Sequence, residues 1–107
     1  MEIKVGDYVR TNKGNITKMS SEEFIKIMLE NKSIFGKALK HSKNIIDLVE
    51  VGDIVHIKDI LHEDITYIWS EDYLKALKED IQNGIKLVSI VTKEQMQSIE
   101  YKVEEDR

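Results

Sequence analysis

Short segments in which hydrophobic and polar residues alternate recur along the chain and predict β-strands. Two such segments flank the turn 12–15, so residues 4–19 are predicted to form a hairpin. Gly14 supplies the positive φ that a tight turn requires. The same alternation predicts further strands over residues 34–40, 49–58, 65–69, 85–91 and 99–103.

Two other segments have helical periodicity. Each begins at a serine that can cap the first turn, Ser21 or Ser70, followed directly by two acidic residues that favour a helix N-terminus. We therefore predict helices over residues 21–31 and 71–83. Two shorter helical turns are predicted over residues 42–48, capped by Ser42, and over 92–95, where Thr92 and Gln95 have capping-box spacing.

The order of these elements repeats along the chain. Val5-Gly6-Asp7 recurs as Val51-Gly52-Asp53, 46 residues later, and the helical segment 21–30 resembles 70–79 at an offset of 49. The matching segments occur in the same order in both halves, while the offset between them increases from 46 to 50. Small loop insertions would produce such an increase. This pattern indicates a tandem duplication of a unit of about 48 residues.

Each unit is predicted to run strand, strand, helix, strand, turn, strand. The Val-Gly-Asp start and the glycine-containing hairpin resemble SH3-like barrels. The predicted fold class is therefore α+β, with two tandem SH3-like repeats built from small curled antiparallel sheets. The first repeat is expected over residues 1–50 and the second over 51–107, packed as one compact domain.

Charge is distributed unevenly along the sequence. The whole chain has a net charge of −4, but residues 1–49 carry +3 and residues 50–107 carry −7. There are no cysteines, and no signal peptide or membrane-spanning segment is evident, so a cytoplasmic protein without a membrane partner is expected. The sequence predicts no oligomeric state.

No residue pattern indicates catalysis. His56, His62, Glu63 and Asp64 lack the regular spacing of metal ligands, and His41-Ser42 lacks a third group to orient the histidine. No glycine-rich phosphate loop is present. We therefore predict a non-enzymatic protein with no catalytic residues, cofactor or metal.

Two groups of residues are candidate binding surfaces. An acidic and aromatic group around the start of the second helix is a candidate site for a partner protein, although core packing is the alternative role for its aromatic residues. Its members are Glu63, Asp64, Tyr67, Trp69, Glu71, Asp72 and Tyr73. A basic group is a candidate nucleic-acid site, with simple solvation as the alternative. Its members are Arg10, Lys32, Lys37, Lys40 and Lys43.

The continuous segment Lys40–Asp53, together with Ile90–Gln95, resembles a family of small uncharacterised proteins from phages and prophages of Gram-positive, clostridia-like bacteria. This resemblance implies an accessory phage protein in a bacterial cytoplasm, and it transfers no functional residues. The hypothesis is a protein that binds and inhibits a host protein, such as an anti-CRISPR-type inhibitor of host defence. The alternative is a nucleic-acid-binding SH3-like module that uses the basic residues between Lys32 and Lys43.

Overall fold

A computed structural model describes residues 1–99, which form a small α+β structure with two three-stranded antiparallel sheets and three α-helices. The strands are β1 (Tyr8–Thr11), β2 (Ile16–Lys18), β3 (Ala38–Ser42), β4 (Ile54–Lys58), β5 (Glu63–Tyr67) and β6 (Lys86–Val91). The helices are α1 (Glu22–Leu29), α2 (Glu71–Gln82) and α3 (Lys93–Ile99), with a 3₁₀ turn at Ile45–Leu48.

The two sheets have the same topology. Their strand orders are β2-β1-β3 and β5-β4-β6, so the first strand of each set is central, and a helix connects the two edge strands. The register shifts at Arg10/Thr11 in the first sheet and at His56/Ile57 in the second, positions that differ by 46 residues. We refer to β1–β3 with α1 as the first unit, and to β4–β6 with α2 and α3 as the second.

Local hydrogen bonds repeat as well. The Asp7 carboxylate accepts the Lys4 N–H at 3.0 Å, and the Asp53 carboxylate accepts the Glu50 N–H at 2.8 Å. A carboxylate that bonds the backbone three residues earlier closes a turn, and this closure explains why the motif opens both units.

The predicted serine caps are confirmed in both helices. Ser21 Oγ accepts the Phe24 N–H and Ser70 Oγ accepts the Tyr73 N–H, both at 3.1 Å.

Helices α1 and α2 each pack their apolar face on the sheet of their own unit, and each forms a separate core. The first core contains Ile3, Val9, Met19, Ile25 and Met28, and the second contains Val49, Val55, Ile68, Leu74 and Leu77. Val49 lies before the predicted boundary at residue 50, yet it packs in the second core and is 2% exposed. The connection between the units therefore contributes to the second core.

Strand boundaries differ from those predicted at three places. The strand predicted over 34–40 lies at Ala38–Ser42, because Gly36 has φ +102° in a turn before it, not a bulge within it. The single bent strand predicted over 49–58 is only Ile54–Lys58, since the Asp53 turn interrupts it. The strand predicted over 65–69 is Glu63–Tyr67.

The helical turns also differ in part. Asn44, rather than Ser42, precedes the 3₁₀ turn; Ser42 ends β3, and its Oγ accepts the Asn44 N–H at 3.1 Å. Thr92 and Gln95 form the predicted reciprocal capping box. The turn continues as α3, so Ile99 is helical, and the rest of the strand predicted over 99–103 falls outside the described residues.

None of the helices within residues 1–99 is long and apolar enough to span a membrane.

Candidate protein-binding surface

Arg10 joins the two units. It follows the core residue Val9 and therefore projects from the opposite, outer face of the first sheet, yet it is 0% exposed. Its guanidinium donates to both Asp53 oxygens at 2.5 and 2.9 Å, to the Leu48 carbonyl at 2.9 Å and to Glu94 at 2.7 Å. Asp53 is also 0% exposed, so the pair is a fully desolvated, bidentate ion pair.

Glu50 extends this ion-pair network toward solvent. Its carboxylate lies 2.8 Å from Lys93 Nζ, 3.1 Å from Lys40 Nζ and 3.6 Å from Arg10 Nε. Partial burial opposes ionisation of Glu50, but hydrogen bonds from Lys93 and Lys40 outweigh it and lower its pKa to about 2. Glu50 is therefore ionised in the folded protein at any pH near neutrality.

The lowered pKa of Glu50 predicts acid sensitivity. The stabilisation that ionised Glu50 contributes is complete above its ordinary pKa of 4.5. It is lost as the pH falls toward the pKa of Glu50 in the folded protein, about 2. Because Glu50 is partly exposed, we expect a loss of only about 1–2 kcal/mol in the free energy of unfolding on acidification through this range. Urea denaturation at a series of pH values measures this loss. A Glu50→Gln variant should have a shallower slope, and parallel slopes for the two proteins would contradict the prediction.

The hairpin turn of the first unit packs on the start of α3. Thr92 Oγ1 donates to the Gly14 carbonyl at 2.7 Å, and the Lys93 N–H donates to Asp53 Oδ1 at 2.9 Å. Gly14 and Thr92 are both buried. The second unit therefore covers the outer face of the first sheet around Arg10.

The outer face of the second sheet is open. The matching register shifts make His56 the structural counterpart of Arg10, and its side chain is 25% exposed. Cross-strand partners project to the same side of a sheet, so Ile65 shares the outer face with His56, and both Tyr67 and Val91 share it with Ile54. Ile65, Tyr67 and Val91 are 75%, 53% and 41% exposed.

The open face is more apolar than the partly covered one. The positions that hold charged or polar residues on the first sheet hold aromatic, aliphatic or less polar residues on the second. In first-to-second order the pairs are Lys18 and Tyr67, Ser42 and Val91, Lys40 and Ser89, and Arg10 and His56. Solvation alone would place the polar residues on the open second face and the apolar residues on the first face, because the first face packs against protein.

We define the outer patch as Ile54, His56, Glu63, Ile65, Tyr67 and Val91, together with Trp69 in the segment that follows β5. Trp69 follows Tyr67 by two residues and is 66% exposed. Its ring packs obliquely on Tyr73, with centroids 6.0 Å apart. An exposed apolar surface with two large aromatic side chains has the composition of a protein-binding site.

The predicted acidic and aromatic group is brought together only in part. Tyr67 and Trp69 are exposed beside Glu71 and Asp72, which occupy the exposed first turn of α2. Tyr73 is half-buried against the second core, and its hydroxyl lies 2.7 Å from Thr66 Oγ1.

Glu63 and Asp64 lie at the far end of β5. At a rise of about 3.3 Å per residue, Glu63 is roughly 13 Å from Tyr67 along the strand. Glu63 belongs to the outer patch through its contact with His56 Nε2 at 2.5 Å. Asp64 pairs in register with the inward-facing Ile57, and so lies on the other face of the sheet.

The predicted basic group does not form one phosphate-binding surface. Arg10 is buried in ion pairs and does not reach a ligand at the surface, which corrects its assignment to the nucleic-acid site. Lys40 is paired with Glu50, and Lys32 lies 3.2 Å from Glu30. Lys37 and Lys43 are exposed.

Sequence reasoning missed Ile54, His56, Ile65 and Val91 as surface residues of interest. Their alternation with core residues indicates two faces, but not which face remains open. His56 points away from Val55 and Ile57, as alternation along the strand requires. Among residues 1–99, no cluster of three or more His, Asp or Glu side chains is placed to hold a metal ion.

No protein-family model matches the sequence, and no significant match was found among curated proteins or solved structures.

Proposed function

We propose that this chain is a non-enzymatic protein that binds another protein through the outer patch of its second sheet. One observation carries the proposal: the outer face of the second sheet is open and more apolar, while the equivalent face of the first sheet, which has the same strand order, is partly covered by protein. Ile65, Tyr67 and Trp69 provide the large exposed side chains on which binding energy usually concentrates. Glu71 and Asp72 provide a charged rim beside the aromatic end of the patch.

The resemblance of Lys40–Asp53 and Ile90–Gln95 to phage accessory proteins suggests the kind of partner. In this proposal the partner is a bacterial host protein that the chain inhibits, and a defence effector is the most concrete example. The net charge of −7 over residues 50–107 supports this version, since an acidic surface can compete with nucleic acid for a basic channel.

The architecture is proposed to derive from duplication of one SH3-like unit. The shared strand order, register shifts, serine caps and Asp turns support a duplication. The strand-strand-helix-strand order supports the SH3-like comparison. Under this proposal, divergence of the two outer faces gave one face a structural role and the other a binding role.

The nucleic-acid alternative has weaker support. Only Lys37 and Lys43 of the predicted basic group are exposed without a carboxylate contact among residues 1–99. Two separated lysines would give little affinity at physiological salt, because affinity for phosphates grows with the number of cations that contact the backbone.

A matched pair of variants tests the proposal. The tagged protein is expressed in a lysogenic host, cross-linked and recovered, and the captured protein is then purified for direct binding measurements. We expect Tyr67→Ala/Trp69→Ala to weaken binding by about tenfold or more, because large aromatic anchors are lost. The control is Ile34→Ser, which removes a large apolar side chain that is 83% exposed from the first unit.

Thermal unfolding confirms that both variants are folded before binding is compared. Equal affinity of the double variant and the control would refute the outer patch as the binding site. Capture that disappears after nuclease treatment and with Lys37→Glu/Lys43→Glu would instead support the nucleic-acid alternative.

A further inference from the structure

The molecule contains two copies of one pocket, and only one copy is filled. In the second unit, the Asp53 carboxylate forms the floor and the Arg10 guanidinium fills the space above it. In the first unit, Asp7 has the same position and the same backbone hydrogen bond. The space above Asp7 is an open pocket of about 440 Å³. It is lined by Glu2, Lys4, Asp7, His41, Ser42 and Lys43.

The filled copy is built to receive a cation. Glu50, Asp53 and Glu94 surround the Arg10 guanidinium, and Glu94 accepts from it at 2.7 Å. Lys93 contributes its backbone N–H to Asp53 and its ammonium group to Glu50. Three carboxylates are matched by Arg10, Lys40 and Lys93, so the guanidinium completes the charge balance of this shell.

The open copy has lost that negative charge. Lys4 stands in the place of Glu50, and Ile45 stands in the place of Glu94 when the chain is followed on from the register pair Ser42 and Val91. His41, the register partner of Val9, replaces Ile90, the register partner of Val55. Lys43 follows Ser42, the register counterpart of Val91, and therefore stands in the place of Thr92, where it adds a positive charge. Glu2 replaces Leu48 and is the single added carboxylate.

Asp7 itself is occupied by its own unit. One of its oxygens, Oδ2, accepts the Lys4 N–H at 3.0 Å and lies 3.0 Å from His41 Nδ1. These contacts, together with the nearby Lys43 charge, hold the pKa of Asp7 below its ordinary value. An Asp7–His41 contact through Nδ1 leaves Nε2 as the ring nitrogen available to a ligand.

We propose that the open copy is a binding site for a small oxyanion, held by Lys4, His41 and Lys43. The duplication converted a cation receptor into an anion receptor by exchanging residues around an unchanged Asp turn. A tetrahedral phosphate group or a carboxylate has the acceptor oxygens that the Lys4 and Lys43 ammonium groups recognise, and the His41 ring lies beside them in the pocket lining. This site lies in the first unit, so the proposal stands independently of the outer patch.

Nitrogen NMR of the histidine side chains in the full chain tests this site. Sodium phosphate is added while sodium chloride keeps the ionic strength and pH constant. We expect a saturable shift of the His41 ring nitrogens in the millimolar range, while the side chain of His62, 77% exposed, serves as the reference for non-specific effects. Parallel titration with acetate separates recognition of a phosphate group from recognition of a carboxylate.

Charge variants identify the residues. Lys4→Glu introduces the glutamate that the filled copy has at the corresponding position, Glu50. This substitution should weaken phosphate binding by about tenfold or more. Lys86→Glu makes the same charge change at an exposed position of the second unit and should have less than about a twofold effect. Lys43→Gln provides a second test if Lys4→Glu does not fold. The absence of a saturable His41 shift with either oxyanion, or equal weakening by Lys4→Glu and Lys86→Glu, would overturn the proposal.

Discussion

Replacing Arg10 by Met is expected to lower the free energy of unfolding by about 3–5 kcal/mol, a large fraction of the stability of a small domain. Methionine keeps much of the volume but leaves the fully buried Asp53 carboxylate without its cation. The cost arises mainly from that desolvated charge rather than from the lost hydrogen bonds themselves. Urea denaturation followed by circular dichroism at neutral pH measures the change.

Lys40→Met is the matched control for this substitution. Lys40 contacts the same network through Glu50, but its side chain is 37% exposed. We expect a cost of less than about 1 kcal/mol, as for other exposed ion pairs. If Arg10→Met were no more destabilising than Lys40→Met, Arg10 would not be the residue that holds the units together. The double variant Arg10→Met/Asp53→Leu should recover part of the stability, because it removes the unpaired charge.

Replacing Gly14 by Ala is expected to cost about 3 kcal/mol and to separate the hairpin turn from α3. A Cβ atom at Gly14 would overlap Thr92 Oγ1, and it would lie 2.7 Å from Glu94 Cβ and 3.2 Å from the Gln95 backbone nitrogen. The φ of +82° adds backbone strain. Thermal and urea unfolding measure the loss, and hydrogen exchange of the first turn of α3 locates it.

Gly84→Ala isolates the contribution of the contact between the units. Gly84 also has a positive φ, +111°, but a Cβ atom there meets nothing within 4 Å. Its cost should therefore be backbone strain alone, about 1 kcal/mol. Equal destabilisation by the two substitutions would mean that the contact between Gly14 and α3 adds nothing to stability.

Local chemistry made much of the fold predictable. The serine caps at Ser21 and Ser70 and the capping box at Thr92 each depend on residues within four positions, so the sequence pattern identifies them directly. Strand boundaries were less predictable where a side chain binds the backbone N–H groups and so interrupts the strand. The Asp53 carboxylate binds the Glu50 N–H and turns the chain inside an otherwise alternating segment.

The candidate surface was predictable only in its aromatic part. Tyr67 and Trp69 are conspicuous in the sequence, but the openness of their face depends on how the two units pack. That packing rests on contacts such as Arg10 with Asp53 and Arg10 with Glu94, which are 43 and 84 residues apart in the chain. Alternation placed Arg10 on an outer face, where a lone basic residue resembles a solvent-exposed one. Arg10 is buried because the second unit packs on it, and no local sequence pattern reveals that contact.

Two histidines occupy the two places where the contact between the units could otherwise be repeated with another molecule. The contact between the units is head-to-tail, since Arg10 of one unit docks on the Asp turn of the next. Such an interface is not self-complementary, and its repetition between molecules generates open chains rather than closed oligomers. At one end of the molecule His56 replaces the arginine and pairs with Glu63 of its own sheet, and at the other end Asp7 pairs with His41. His56 and Asp7 therefore each have a partner within their own unit, so neither is left as the free half of a contact that could repeat between molecules.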